Sequence, residues 1–133
     1  MFKVTKVIHF CYGHRLLRYE GKCRHLHGHN AKVEVELTNA TLDARGMVAD
    51  FSEVKQKLQG WIDSTLDHRM VLHREDPILR QLADLKEPYA VLENNPTAEN
   101  LARHIFEYAK TQGFPVTEVR LWETPTSFAT FRG

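Results

Sequence analysis

From Lys32 to Thr38 the chain alternates cleanly: Val33, Val35 and Leu37 project to one side, Glu34 and Glu36 to the other. A two-residue period belongs to a strand half-buried in a sheet. A second pattern appears near the far end. From Thr97 to Gly113, with Pro96 just before, Ala98, Leu101, Ala102, Ile105, Phe106 and Ala109 recur at the 3.6-residue helical spacing. A chain carrying both signals can bury its apolar surface by laying an amphipathic helix on one face of a sheet.

The remaining segments fit that frame. Phe2 to Phe10 is rich in β-branched and aromatic residues and reads as a strand. Cys11 to Asn30 is polar, carries Gly13, Gly21 and Gly28, and reads as a long loop; such loops are often functional. Asn39 to Gly46 is a turn region. Asp50 can cap a helix, with Glu53 completing a capping-box-like pair and Phe51, Val54, Leu58, Trp61 and Ile62 on one face. Asp76 to Leu82 reads as a short helix with Pro77 in its first turn, and Tyr89 to Leu92 as a short strand. Val116 to Trp122 and Ser127 to Phe131 read as closing strands. The expected order is ββααββ, an antiparallel α+β domain with helices on one sheet face, occupying residues 1–133 as a single unit.

Composition narrows the function classes. Eighteen Lys plus Arg against seventeen Asp plus Glu give a formal net charge of +1, so a strongly basic nucleic-acid binder is not expected. No apolar run approaches the roughly 18 residues of a membrane helix, so no membrane partner is expected either. Met1 to Lys6 lacks the apolar core of a signal peptide, and two cysteines are too few for a disulfide framework. Cys11 and Cys23 are read as reduced thiols in a cytoplasmic protein.

The unusual count is histidine: eight in all, of which His9, His14, His25, His27 and His29 fall within one short stretch. In Cys23-Arg24-His25-Leu26-His27-Gly28-His29, side chains two apart point the same way in an extended chain, so His27 and His29 can share one ion. His14 is the natural third ligand, and His25 is an alternative. Three imidazoles with an open fourth position are the pattern of a catalytic zinc site. The competing reading is a set of exposed loop histidines; a structural Cys2His2 site using Cys11 and Cys23 lacks the usual paired cysteine spacing. Cys23 could ligate the metal, sit inert, or act as a base or nucleophile. Lys22, Arg24 and a nearby zinc would each stabilise its thiolate. Asp67-His68 offers an imidazole oriented by a carboxylate, able to trade a proton with Cys23, although Asp-His dipeptides are common and a solvated turn is the plainer reading of this one.

Taken in order, Phe10-Cys11-Tyr12-Gly13-His14, Cys23-Arg24-His25-Leu26-His27-Gly28-His29, Met47-Val48-Ala49-Asp50-Phe51, Leu66-Asp67-His68, Pro96-Thr97-Ala98-Glu99-Asn100 and Trp122-Glu123-Thr124 resemble the 6-pyruvoyl-tetrahydropterin synthase / 6-carboxytetrahydropterin synthase family. The resemblance spans Phe10 to Glu123. It implies the tunnelling fold, an antiparallel sheet with helices on one face, whose subunits form a trimeric barrel and commonly a hexamer with sites at subunit interfaces. It implies one zinc ion per subunit on His14, His27 and His29, with Cys23, Asp67 and His68 as the catalytic residues. Glu123 takes the position of the pterin-anchoring carboxylate, which suits the two parallel N–H donors on the pterin edge. Thr97 and Glu99 match polar positions near the same pocket, and Glu99 reads equally as a first-turn helix acid.

The implied reaction converts 7,8-dihydroneopterin triphosphate to 6-carboxy-5,6,7,8-tetrahydropterin with release of acetaldehyde and triphosphate, in queuosine-precursor synthesis. Formation of the pyruvoyl product, or a related aldol cleavage of the dihydropterin side chain, is the alternative within the family. A non-catalytic pterin- or metal-binding module is the alternative outside it. Lys22, Arg24, Arg15 and Arg18 are candidates for holding the triphosphate. Two departures from the family pattern stand out: Tyr12-Gly13 replaces a pair of small residues, and the stretch from Arg69 to Asn95 is longer than usual.

Overall fold

The structure, a computed structural model, describes residues 1–133. Two long strands dominate it. β1 (Phe2–His14) pairs antiparallel with β2 (His27–Asn39), in a register running from Phe2 opposite Asn39 to His14 opposite His27. The expected long loop from Cys11 to Asn30 is therefore corrected: both strands continue through it, and only residues 15–26 leave the sheet, containing a 3-10 turn at Lys22–Arg24. The alternation persists as Ile8, Phe10, Tyr12 and His14, all buried. It was masked because its last inward position is a histidine and because Gly13 faces Gly28 across the ladder.

β3 (Arg69–His73) and β4 (Tyr89–Leu92) extend the sheet on the β1 side, and β5 (Val116–Thr124) and β6 (Ser127–Arg132) on the β2 side. The strand order is β4-β3-β1-β2-β5-β6. β3 runs parallel to β1 and β4 parallel to β3, so the sheet is mixed, not wholly antiparallel. β3 had no sequence-based counterpart. Its apolar Met70-Val71-Leu72 is too short a run to separate strand from helix by periodicity.

Helical residues cover one face. α1 (Phe51–Val54), a π-helical stretch (Lys55–Gln59) and α2 (Gly60–Thr65) form one rod. Asp50 caps it, its Oδ1 accepting from the Ser52 amide at 2.8 Å; the Glu53 carboxylate turns instead to Lys57 at 3.0 Å. α3 (Ile78–Asp84) starts two residues later than expected because Asp76 accepts from the Ile78 amide. α4 (Ala98–Thr111) is capped by Thr97, whose hydroxyl accepts from Asn100 N–H at 3.2 Å, and is followed by Gly113 at φ 83°, the left-handed conformation that glycine tolerates. Trp61 and Tyr108 stack at 4.0 Å, tying the first rod to α4. Beneath them Val33, Val35, Leu37, Leu58, Ile62, Leu101, Ile105, Val119 and Leu121 are fully buried in one core. The other sheet face is charged, with Lys3–Glu36, Arg120–Glu34 and Arg132–Glu118 ion pairs laid across its strands. No helix is long and apolar enough to cross a membrane.

Candidate metal centre and substrate pocket

The paired ends of β1 and β2 bring His14, His27 and His29 together on the helix-covered face. Opposed residues of an antiparallel pair share a face, so His14 with His27 and Tyr12 with His29 all point inward. Their imidazole ligand atoms lie within 4.8 Å of one another. Two of the rings are oriented from behind. His14 Nδ1 donates to the Pro96 carbonyl and His27 Nδ1 to the His25 carbonyl, each at 2.7 Å. A carbonyl only accepts, so both Nδ1 atoms carry the proton and both Nε2 atoms present lone pairs. Those two Nε2 atoms are 2.9 Å apart. Two lone pairs at that distance repel unless a cation or proton lies against them. The His29 Nε2 is buried with no hydrogen-bond partner, and a Glu123 oxygen lies 3.8 Å from it. Three inward nitrogens, two in a fixed tautomer and one orphaned, fit a borderline-soft divalent ion such as zinc.

Electrostatics agree. Burial pushes the His14 imidazole down to about 4, outweighing the opposing pull of the Pro96 carbonyl, so the ring is neutral at physiological pH as a ligand must be. Tyr12 packs edge-on against His14, with centroids 5.1 Å apart, and its hydroxyl donates to Glu123 Oε1 at 3.4 Å. Burial, then the Glu123 charge, raises the Tyr12 phenol well above its ordinary value, so it stays a donor. Glu123 and Glu99 line one cavity of about 400 Å³, with Ala98 between Thr97 and Glu99 also in its wall. The Thr97 oxygen is engaged as the α4 cap.

The Asp67-His68 dyad lies at the same end of the sheet, on the other side of β1. His68 has φ 59°, left-handed for a residue with a Cβ, a conformation that costs about 1–3 kcal/mol and persists where its surroundings enforce it. Here β1 enforces it: the His68 amide donates to the Cys11 carbonyl at 2.7 Å, and the Cys11 amide donates to Asp67 Oδ1 at 3.0 Å. Asp67 Oδ2 accepts from His68 Nδ1 at 2.8 Å. Burial alone would raise the Asp67 carboxyl; the Cys11 N–H and the His68 ring hold it below the usual range.

Cys23 is not brought to this dyad within one chain. It is half-buried in the 3-10 turn, with its carbonyl accepting from Leu16 N–H at 2.9 Å, and the thiol at His68 is that of Cys11, 3.5 Å from Nδ1. His25 contributes its backbone, not its ring, to the metal centre. Arg15 and Arg18 are committed to Asp76 and Glu75, at 2.8 and 2.7 Å, which leaves Lys22 and Arg24 as the candidate phosphate cations without an ion pair, Arg24 donating to His25 Nε2 at 3.3 Å. Sequence reasoning did not find Asp76, Asn95 or Pro96. All three follow β3 in the longer 69–95 segment or adjoin its end, and they clamp the site: Asp76 holds Arg15, Asn95 exchanges two hydrogen bonds with the Leu17 backbone, and Pro96 orients His14.

A helix-backed sheet that gathers three imidazoles beside a carboxylate-lined cavity defines a small α+β protein with a site able to hold a metal ion. Comparison with known proteins makes this specific. The model of the 6-pyruvoyl tetrahydropterin synthase family matches residues 3–133, and the chain belongs to that family. It is 39% identical to the 6-carboxy-5,6,7,8-tetrahydropterin synthase of Rickettsia bellii, over 96% of this chain and 98% of that one. It is 34% identical to the protein of the same name from Haemophilus influenzae, over 99% of each. Among solved structures it is similar to 6-pyruvoyl tetrahydropterin synthase of Caenorhabditis elegans, with a TM-score of 0.74 and 26% identity over 99% of this chain and 95% of that one.

Proposed function

We propose that this chain is a zinc-dependent lyase that converts 7,8-dihydroneopterin triphosphate to 6-carboxy-5,6,7,8-tetrahydropterin, releasing acetaldehyde and triphosphate. The observation that carries the reading is the set of three inward imidazoles, with Glu123 3.8 Å from the His29 ring. Relatives named 6-carboxy-5,6,7,8-tetrahydropterin synthase, aligned over nearly the whole chain, support the carboxy product over the pyruvoyl one.

His14, His27 and His29 would hold the ion, whose Lewis acidity lowers the cost of negative charge on the substrate's side-chain oxygens. Glu123 accepts the two parallel N–H groups of the pterin edge, a charge-assisted bidentate contact, with Glu99 in the same cavity wall. Tyr12 steadies Glu123 through its hydroxyl. Cys23 and His68 move protons at the side-chain carbons, with Asp67 setting the His68 tautomer. The Cys23 thiol and the dyad meet across a subunit boundary, which makes the working form a homo-oligomer, trimer-based and hexameric. Two free sheet edges, β4 and β6, support such assembly.

The test is product identification. Zinc-loaded protein incubated with 7,8-dihydroneopterin triphosphate is expected to yield acetaldehyde and a carboxylated tetrahydropterin by mass spectrometry. Triphosphate release with a pyruvoyl pterin and no acetaldehyde would replace this reading with its family alternative. No turnover with the metal bound would favour a binding module.

A further inference from the structure

β1 ends at His14, and the three residues that follow are each tied down. Arg15 lays its guanidinium fork on Asp76, with Nε donating to Oδ2 at 2.8 Å and Nη2 to Oδ1. The Asp76 side chain has no exposed surface, and its Oδ1 also accepts from the Ile78 amide at 2.9 Å, which fixes it to the start of α3. Leu17 is held through both of its backbone groups by one side chain. Its amide donates to Asn95 Oδ1 at 2.8 Å, and its carbonyl accepts from Asn95 Nδ2 at 2.9 Å. A side-chain amide can do this because it carries an acceptor and a donor side by side. Between the two anchors, the Leu16 amide donates to the Cys23 carbonyl at 2.9 Å. The turn that carries Cys23 therefore hangs on a residue whose neighbours on both sides are fixed. One anchor is also tied to the metal centre. Asn95 precedes Pro96, whose carbonyl orients His14, and the Asn95 carbonyl accepts from the Thr97 amide and from Asn100 Nδ2 of α4, each at 2.8 Å. Both anchors belong to the long 69–95 segment, which sequence analysis left without a role.

We infer that Asp76 and Asn95 are positioning residues: through Arg15 and Leu17 they fix Leu16, and through Leu16 the turn that presents Cys23. The inference rests on the proposed part of Cys23 in proton transfer. Neither side chain is asked to touch the substrate. A displacement of about 1 Å can cost a chemical step about 100-fold. Loosening this turn therefore lowers kcat, while the Glu123 anchor and the three-histidine centre stay where they are. Arg15, engaged with a buried carboxylate, serves the turn and not the triphosphate.

Steady-state kinetics and amide hydrogen exchange on the zinc-loaded protein test it together. Asn95→Ala removes both bonds to Leu17. Asp76→Asn keeps an oxygen for the Ile78 amide and breaks the ion pair, so α3 keeps its start. Each is expected to lower kcat about 10–100-fold with KM and bound zinc retained. Each is also expected to speed exchange in residues 15–26 while β1 stays protected. Arg15→Ala should match Asp76→Asn, and the double variant should be no worse than either alone, because all three remove one contact. Arg15→Lys, which keeps the charge and one bond, should recover part of kcat. If Asp76→Asn loses its native circular dichroism, Asn95→Ala and Arg15→Ala carry the test. Wild-type kcat in these variants, unchanged exchange in residues 15–26, loss of zinc along with activity, or an Arg15→Ala defect confined to KM would overturn the assignment. No turnover in the wild type would count against the proposed activity; faster exchange in the variants would then still support the anchoring of the turn, and unchanged exchange would overturn it.

Discussion

Acid should weaken the metal-free protein chiefly through His14, with His104, whose pKa burial also lowers, acting in the same direction. His14 is 2% exposed, and burial lowers its pKa from 6.5 to about 4. The unfolded chain takes up a proton near pH 6.5, whereas the folded chain resists it down to about pH 4. Between those values the unfolded state binds more protons, so stability falls as pH falls, by about 1.4 kcal/mol per pH unit. Over the full window the loss is roughly 3 kcal/mol, and above pH 6.5 this ring contributes no further change. The depressed carboxylates Asp67, Asp76 and Glu118 act lower, being lost only as pH drops through their folded-state values, beneath the ordinary carboxylate range. Urea denaturation of the chelated protein between pH 7 and 4.5, set against His14→Gln, isolates the effect. The wild type is expected to lose stability steeply across that range and the variant much less. Parallel pH profiles for the two proteins would refute the argument, because the buried neutral imidazole would then not be the source.

Other consequences concern separate parts of the site. His29→Ala removes the orphaned ligand and is expected to weaken zinc binding by more than the 10–100-fold typical of lost supporting contacts, read by competition with a chelating dye; unchanged affinity would remove His29 from the centre. Cys23→Ala is expected to abolish turnover while keeping the three-histidine ion, so wild-type rates in that variant would exclude the thiol from the chemistry. Thr97→Ala loses the α4 cap and is expected to cost about 1 kcal/mol in chemical denaturation, with Thr97→Ser restoring it; no change in midpoint would show that the cap is not stabilising.

Much of this architecture is legible in the residues themselves. The period of α4 and the alternation of β2 each follow from one buried face, and both sit where their apolar residues put them. The histidine trio is legible because strand spacing turns His-x-His into a same-face pair. What is hidden has physical causes. Polar ligands at inward positions broke the apolar alternation, so the ends of β1 and β2 read as loop. β3 joins β1 as a parallel neighbour, Tyr12 beside Arg69, and such non-local pairing leaves no local trace. That same pairing sets Asp67 and His68 beside Cys11 and not Cys23. The π-helical stretch at Lys55–Gln59 likewise carries no Gly or Pro to mark it.

The most direct measurement is an anomalous-difference map, collected at the zinc absorption edge, on crystals of the zinc-loaded protein. A strong peak within bonding reach of the Nε2 atoms of His14, His27 and His29, leaving one coordination position open towards the Glu123 cavity, is the expected result. Density at the zinc edge only elsewhere, with those three nitrogens bonded to one another or to water, would contradict the account at its centre.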